Sequence, residues 1–396
     1  MHSYELTLPQ KIVFGVGKRR EIGRLAQPLG HRAVLITGSQ TLEKLGAVRQ
    51  LVADLEQAGI SILTTQHISH EPETRDVDGL VERLRSAVLP GDFVIGFGGG
   101  SAMDLAKAAA ALLPQAEDAP VKDYLEGVGR GLNLTQLPMP ILAIPTTAGT
   151  GAEATKNAVI ASYNPPFKKS LRHDRMMPHT VLVDPEWTLH CPRKVTAESG
   201  LDALTQLLES YVCRKHQPFT DALVEQCLPK MVAALSHLAG TPHFDAAPLH
   251  LESRCAMSHG ALISGIALAN SGLGMAHGVA PALGTHCRIA HGAACALMLP
   301  VTLRTNAEVC ADRYAALSRL VFGFDSVVSD ETATERLIEQ IEQLCSGFGL
   351  PMRLSGYGID KALIPAIARD SKGNSMSGNP KELSESDIET ILRDVY

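Results

Sequence analysis

Apolar residues in the first half of the chain fall into short continuous runs, each followed by a helical pattern. "RAVLIT" (32–37), "SILTTQHI" (61–68) and "DFVIGF" (92–97) have the length and composition of buried strands. The third passes through a glycine cluster into "SAMDLAKAAAALL", a strong helix, and "PILAIPTTAGTGAEAT" (140–155) repeats the strand-to-turn pattern. Strands alternating with helices predict a parallel sheet covered on both faces. After about residue 192 the period changes. "VTAESGLDALTQLLESYV", "TDALVEQCLPKMVAALSHLAG" and "ATERLIEQIEQLCSGFG" all read as helices, and convincing strands vanish. The pattern predicts an α/β domain over 1–192 and an all-helical domain over 193–396, joined near "CPRKVTAE".

Charge adds an exclusion and a question. The net charge of −6 gives no basic surface of the kind that binds nucleic acid. Between Arg254 and Arg288 there is no Asp, Glu, Lys or Arg, a run long enough to cross a bilayer. It also carries His259, Asn270, His277, Pro281 and six glycines, so it is expected to be protein interior, with no membrane partner. The N-terminal stretch lacks the layout of a signal peptide. All eight cysteines lie from Cys191 onward without a CxxC pair, and reduced thiols in a cytoplasmic protein are expected.

Four stretches carry candidate chemistry. In "DFVIGFGGGSAMDLAKAAA" a strand enters Gly98, Gly99, Gly100 and Ser101 and then a helix, an arrangement that lets a phosphate approach free backbone N–H groups. Ser101 stands where the last glycine of GxGxxG would be, so this is not the dinucleotide fingerprint. In "IPTTAGTGAEAT", Thr146, Thr147, Thr150 and Thr155 crowd a turn at a strand end, where hydroxyls either hold a ligand or serve the turn itself. In "SGLDALTQLLESYV", Asp202 and Gln206 stand four apart on one helical face, either as a metal-binding acid and its partner or as the polar face of the helix. His277 and His291 are fourteen apart, about 21 Å along a straight helix. They reach one metal only if Pro281 and Gly284 break the helix and fold the chain back, and the spacing leaves His286 open as well.

Taken together, "LPQKIVFG", "GGGSAMDLAKA", "IPTTAGTGAEAT", "LVDPEWTL", "ESGLDALTQLLESYV", "SGIALANSGLGMAHGVAPALG" and "IAHGAACALMLP" resemble the iron-containing (group III) alcohol dehydrogenase family in sequence and order. The resemblance implies an N-terminal α/β nucleotide-binding domain with a parallel sheet and an all-α C-terminal metal-binding domain, the dehydroquinate synthase-like architecture. It implies a cofactor side at Gly99, Gly100, Ser101, Asp104, Thr146, Thr147, Thr150, Thr155 and Lys168, the last in "FKKSLR", taken as a polar loop. It implies a metal on Asp202, His277 and His291, with Gln206 at the position where the family's Asp-x-x-x-His motif has histidine. Where relatives often carry a further histidine, this chain has Pro281.

Two lost imidazoles leave an altered metal site that holds zinc as well as iron, because Asp-His-His is a sufficient zinc set. Proton relay passes to water, His286 or the nicotinamide ribose. NADP(H) is favoured over NAD(H): Gly38 replaces the acid that NAD-preferring relatives often carry there, and Ser39 can donate to a 2′-phosphate. The expected activity is direct hydride transfer between a small neutral alcohol or aldehyde and NAD(P), with the metal as Lewis acid. The alternatives are a metal-independent reductase of the maleylacetate type and a sugar-phosphate cyclase resembling dehydroquinate synthase. The run without Lys or Arg speaks against the cyclase. A homodimer is expected from the family alone. "SKGNSMSGNP" (371–380) reads as a polar loop without an assignable role.

Overall fold

A computed structural model describes residues 3–38, 40–116, 118–241, 250–323 and 328–396. It divides into two compact units, Thr7–Cys191 and Met1–Leu6 with Pro192–Tyr396.

Among the described residues the first unit holds eight strands: β1 (Lys11–Phe14), β2 (Arg32–Thr37), β3 (Ser61–His67), β4 (Asp92–Gly98), β5 (Ile141–Pro145), β6 (Asn157–Tyr163), β7 (Pro166–Arg172) and β8 (Thr180–Val183). Six of them form a parallel sheet in the order β1-β8-β5-β4-β2-β3. Every residue of β4 and β5 is buried, which is why these strands read as apolar runs without alternation. One face of the sheet packs Leu35, Phe93, Ile95, Leu142 and Ile144 against Ile22, Leu25, Leu51 and Leu55. The Gly100–Leu112 helix covers β4 with alanines, and a Cβ on Gly96 would lie 3.1 Å from that of Ala106, so only small residues allow this approach.

The connection from β2 leads outward to β3, whereas the one from β4 leads the other way to β5, making the β2/β4 carboxyl ends the topological switch point. β6 and β7 form a separate antiparallel pair. The "FKKSLR" segment is therefore a strand and not a loop; its mostly half-buried residues carry no apolar run to announce it.

The second unit is helical. Its Arg193–Val212 helix is buried on all sides from Gly200 to Val212, so Asp202 and Gln206 lie in the interior and not on a solvated face. The uncharged run forms the Leu251–Ser271 and Met275–Cys287 helices, bent by 102° from each other. Among the described residues no single helix is long and apolar enough to cross a membrane.

The expected break at Pro281 and Gly284 does not occur. The Met275–Cys287 helix runs through both and ends at Arg288, whose backbone is left-handed (φ 56°). A proline forfeits one helical N–H, a loss this helix absorbs, and the Pro281 carbonyl accepts from Thr285 Oγ1 at 2.8 Å. The reversal falls between Cys287 and His291, and the next helix, His291–Phe322, begins on His291 itself. In "SKGNSMSGNP", Asn379 is buried and bonded on three sides, accepting from Met275 N (3.0 Å) and Asn306 Nδ2 (2.9 Å) and donating to Asn306 Oδ1 (2.8 Å).

Candidate metal and nucleotide sites

Three helices bring the metal candidates together. Asp202 comes from the middle of Arg193–Val212, His277 from the first turn of Met275–Cys287, and His291 from the first position of His291–Phe322. The two imidazole rings are 5.5 Å apart between centroids. His277 Nε2 lies 3.0 Å and His291 Nε2 3.8 Å from Asp202 Oδ1. Gly292 makes the approach possible: a Cβ there would sit 2.3 Å from the Glu198 carbonyl oxygen.

Cys295, which the sequence reading passed over, joins the set. Its Sγ is 3.6 Å from His277 Nε2 and 3.7 Å from His291 Nε2, and one donor atom from each of Asp202, His277, His291 and Cys295 lies within 4.8 Å of the others. The signal was present as His291-x-x-x-Cys295, two donors one helical turn apart.

Gln206 is oriented by its neighbours. Its Oε1 accepts from Ser264 Oγ at 2.7 Å, and its Nε2 donates to Asp202 Oδ1 at 3.3 Å. The structure thus turns an amide N–H towards the donor set. His286 is elsewhere, with Nε2 2.7 Å from the Asp370 carboxylate.

Glu209 was also missed. It follows Asp202 by two helical turns, its side chain is buried, and it accepts from Ala276 N (2.6 Å) and bonds to His277 Nδ1 (2.7 Å). With Asn379 on Met275 N, it satisfies the first amides of the His277 helix and fixes that imidazole. Burial alone would lower the His277 pKa, yet Cys295 and the Asp202 and Glu209 carboxylates raise it well above the ordinary value. Burial likewise works to raise Asp202, and His291 and His277 bring it below the usual carboxylate range. Burial pushes the Cys295 thiol up to about 12. Two buried carboxylates around one imidazole need positive charge, and a divalent cation on the same donors would supply it. The residues fit a metal.

On the α/β unit, the glycine turn and the threonine turn meet. Thr146 N donates to Gly98 O at 2.9 Å, and Cβ atoms on Gly99 and Gly100 would touch Thr147 and Thr150. The Gly100–Leu112 helix has no side-chain cap on its N-cap Gly99, so its first amides are open to an anion. Ser101, Asp104, Thr147 and Thr150 are partly exposed around this end. These residues fit the pyrophosphate of a dinucleotide at the switch point.

Other candidates are placed differently. Thr146 is buried. Thr155 is buried too, taking a hydrogen bond from Lys107 Nζ (2.8 Å), which also faces Asp104 (3.4 Å). Lys168 pairs with Glu71 at 2.7 Å. Gly38 donates from its N to Phe97 O, and a Cβ there would lie 3.0 Å from that of Ala102, a tight approach to the helix that follows β4. Ser39 lies outside the described residues.

Beside this turn, burial pushes the Glu153 carboxyl up to about 7, against Lys107, which lowers it. A raised carboxyl stabilises the fold fully below its unfolded value near 4.5, and that contribution is lost as pH climbs to about 7. The expected loss is about 3 kcal/mol. Thermal unfolding followed from about pH 5 to about pH 8 should show wild type losing more stability than Glu153→Gln. Equal pH dependence in the two proteins would remove Glu153 as the cause.

Residues 9–185 match the family described as iron-containing alcohol dehydrogenase, and residues 196–396 match the C-terminal domain of the Fe-containing alcohol dehydrogenase family. The chain belongs to the iron-containing alcohol dehydrogenase family. Among its relatives in that family, long-chain-alcohol dehydrogenase 1 of Geobacillus thermodenitrificans is 32% identical over 93% of this chain and 90% of its own. NADPH-dependent butanol dehydrogenase of Clostridium saccharobutylicum is 29% identical over 98% and 97%. The solved sulfoacetaldehyde reductase of Bifidobacterium kashiwanohense, in complex with NAD+, superposes with a TM-score of 0.85 at 26% identity, covering 100% of this chain and 99% of that one. Iron-containing alcohol dehydrogenases therefore share the whole of this architecture, a parallel α/β unit followed by a helical one. Both nicotinamide cofactors occur among these relatives.

Proposed function

We propose that the chain is a metal-dependent alcohol dehydrogenase or aldehyde reductase that prefers NADP(H) and acts on a small neutral alcohol or aldehyde. The observation that carries this reading is the convergence of Asp202, His277 and His291 in one buried cluster within a chain of this family. A divalent ion on these donors would supply a Lewis acid for the alcohol or carbonyl oxygen, and a nicotinamide on the glycine turn would carry the hydride. The protein's own groups do the rest. Glu209 holds the Nδ1–H of His277, so that Nε2 is the atom presented to the cluster. Asp202 brings the negative charge, with Gln206 N–H supporting its Oδ1. His291 is the most open of the three, with 25% of its side chain exposed against 2% for Asp202, so substrate enters past its ring. The preference for NADP(H) is supported by the absence of a carboxylate at Gly38, where it would repel a 2′-phosphate.

The test is metal analysis of purified protein, with aldehyde reduction by NADPH and by NADH assayed before and after chelation and metal return. Near-stoichiometric metal, activity lost with it and restored by it, and faster turnover at low NADPH than at low NADH are expected. Full activity in metal-free protein would overturn the Lewis-acid reading in favour of a metal-independent reductase.

A further inference from the structure

We propose that Cys295 Sγ is the fourth donor of this metal site, in place of the side chain at position 206, and that the ion selected by the set is zinc. The inference rests on the metal reading above and extends it to the donor and the ion.

Geometry comes first. Tetrahedral zinc with bonds of about 2.3 Å to sulfur and about 2.0–2.1 Å to nitrogen or oxygen sets S···N edges near 3.6 Å and N···O edges near 3.3 Å. The two S···N distances here are 3.6 and 3.7 Å, and the two N···O distances, 3.0 and 3.8 Å, bracket the other edge. His291 and Cys295 share one helix face, so their donor atoms meet without movement of any loop.

The neighbours of the thiol make the second argument. A buried free cysteine is ordinarily a small hydrophobe among apolar side chains. Cys295 is fully buried, yet its Sγ faces two imidazole nitrogens and the Asp202 carboxylate. Gln206, by contrast, is held at both ends of its amide, 2.7 Å from Ser264 Oγ and 3.3 Å from Asp202 Oδ1. The corner left without an imidazole is thus served from a different helix, and the alcohol or carbonyl oxygen would take a fifth position, an expansion that zinc allows.

Ligand chemistry then names the ion. Sulfur is a soft donor, and imidazole suits zinc as well as iron, so exchanging an imidazole for a thiolate moves the set towards zinc. Zinc also stands above Fe(II) in intrinsic affinity for such donors. On binding, the thiol proton leaves to solvent and the sulfur coordinates as thiolate.

Cobalt(II) reports on the ligand directly. Metal-stripped full-length protein is loaded with one equivalent of Co(II), and the visible ligand-field bands and the near-ultraviolet sulfur-to-cobalt charge-transfer band are recorded for wild type, Cys295→Ser and Asp202→Asn. The expected result is both bands in wild type and ligand-field bands alone in C295S, which also shows that the variant still assembles the site. Competition between zinc and Fe(II) should favour zinc in wild type. In C295S zinc affinity should fall by at least the ~10–100-fold that follows loss of a group merely orienting a ligand, with Fe(II) affected less. Ligand-field bands without charge transfer in wild type, or charge transfer that survives in C295S, would overturn the thiolate ligand and leave the Asp-His-His site standing. Wild-type protein that binds no cobalt, behaving like D202N, would overturn the metal reading and this inference with it.

Discussion

Asp202→Asn is expected to lose its metal and to turn over alcohol or aldehyde about 10²–10⁴-fold more slowly than wild type. That range corresponds to the several kcal/mol of charge stabilisation a Lewis acid contributes, at one factor of ten per 1.36 kcal/mol. The substitution is nearly isosteric. Asp202 is 1% exposed, and an asparagine oxygen can still accept from His277 Nε2, so the cluster keeps its packing while its carboxylate donor becomes neutral. Binding of NADPH, followed by quenching or enhancement of its fluorescence, should be unchanged, because the proposed cofactor residues belong to the other unit. Loss of cofactor binding together with metal would point to a folding defect. Turnover within a few-fold of wild type would show that Asp202 holds no catalytic ion.

How much of this could be seen in the sequence depends on the range over which each signal acts. β2, β4 and β5 were legible because each is a continuous apolar run of strand length, the mark of a parallel strand covered on both faces, whereas β3 lies at the sheet edge with no residue buried. β1 and β8 have four residues each, too few for a period to emerge. β7 is a run of half-buried, mainly polar residues and passed for a loop. Within the helical unit, the extents of Arg193–Val212, Pro218–Ala239 and Asp330–Gly347 followed from their period, but their surroundings did not. Asp202 and Gln206 resembled a polar face until packing closed over them.

The metal donors divide along the same line. Asp202, His277 and His291 stood out because polar groups in apolar segments are conspicuous and the resemblance gave them a motif to fall into. Cys295 is as apolar as its neighbours by composition, and only the packing of the His277 helix against its own shows that its sulfur faces imidazole. Asn379 lay hidden for the opposite reason, since a buried hub in "SKGNSMSGNP" is indistinguishable from an exposed turn without its bonds to Met275 and Asn306.

Glu209 gives the sharpest case of a residue that acts through another, and its substitution should separate orientation from ligation. Glu209→Ala would leave the His277 Nδ1–H and the Ala276 N–H in a dry interior without acceptors, at about 1–3 kcal/mol each. Metal affinity should fall by about 10–100-fold, and turnover at limiting metal should fall with it. Saturating metal should recover most of the rate, which D202N would not permit. Glu209→Gln supplies the decisive comparison. Its amide oxygen can serve Ala276 N or His277 Nδ1–H, but its N–H₂ must then face the other donor, so a variant of nearly the same shape should be about as impaired as alanine. If E209Q instead matched wild type in metal affinity, the carboxylate would be serving only to fill space, and the orientation of His277 would have to come from the helix start alone.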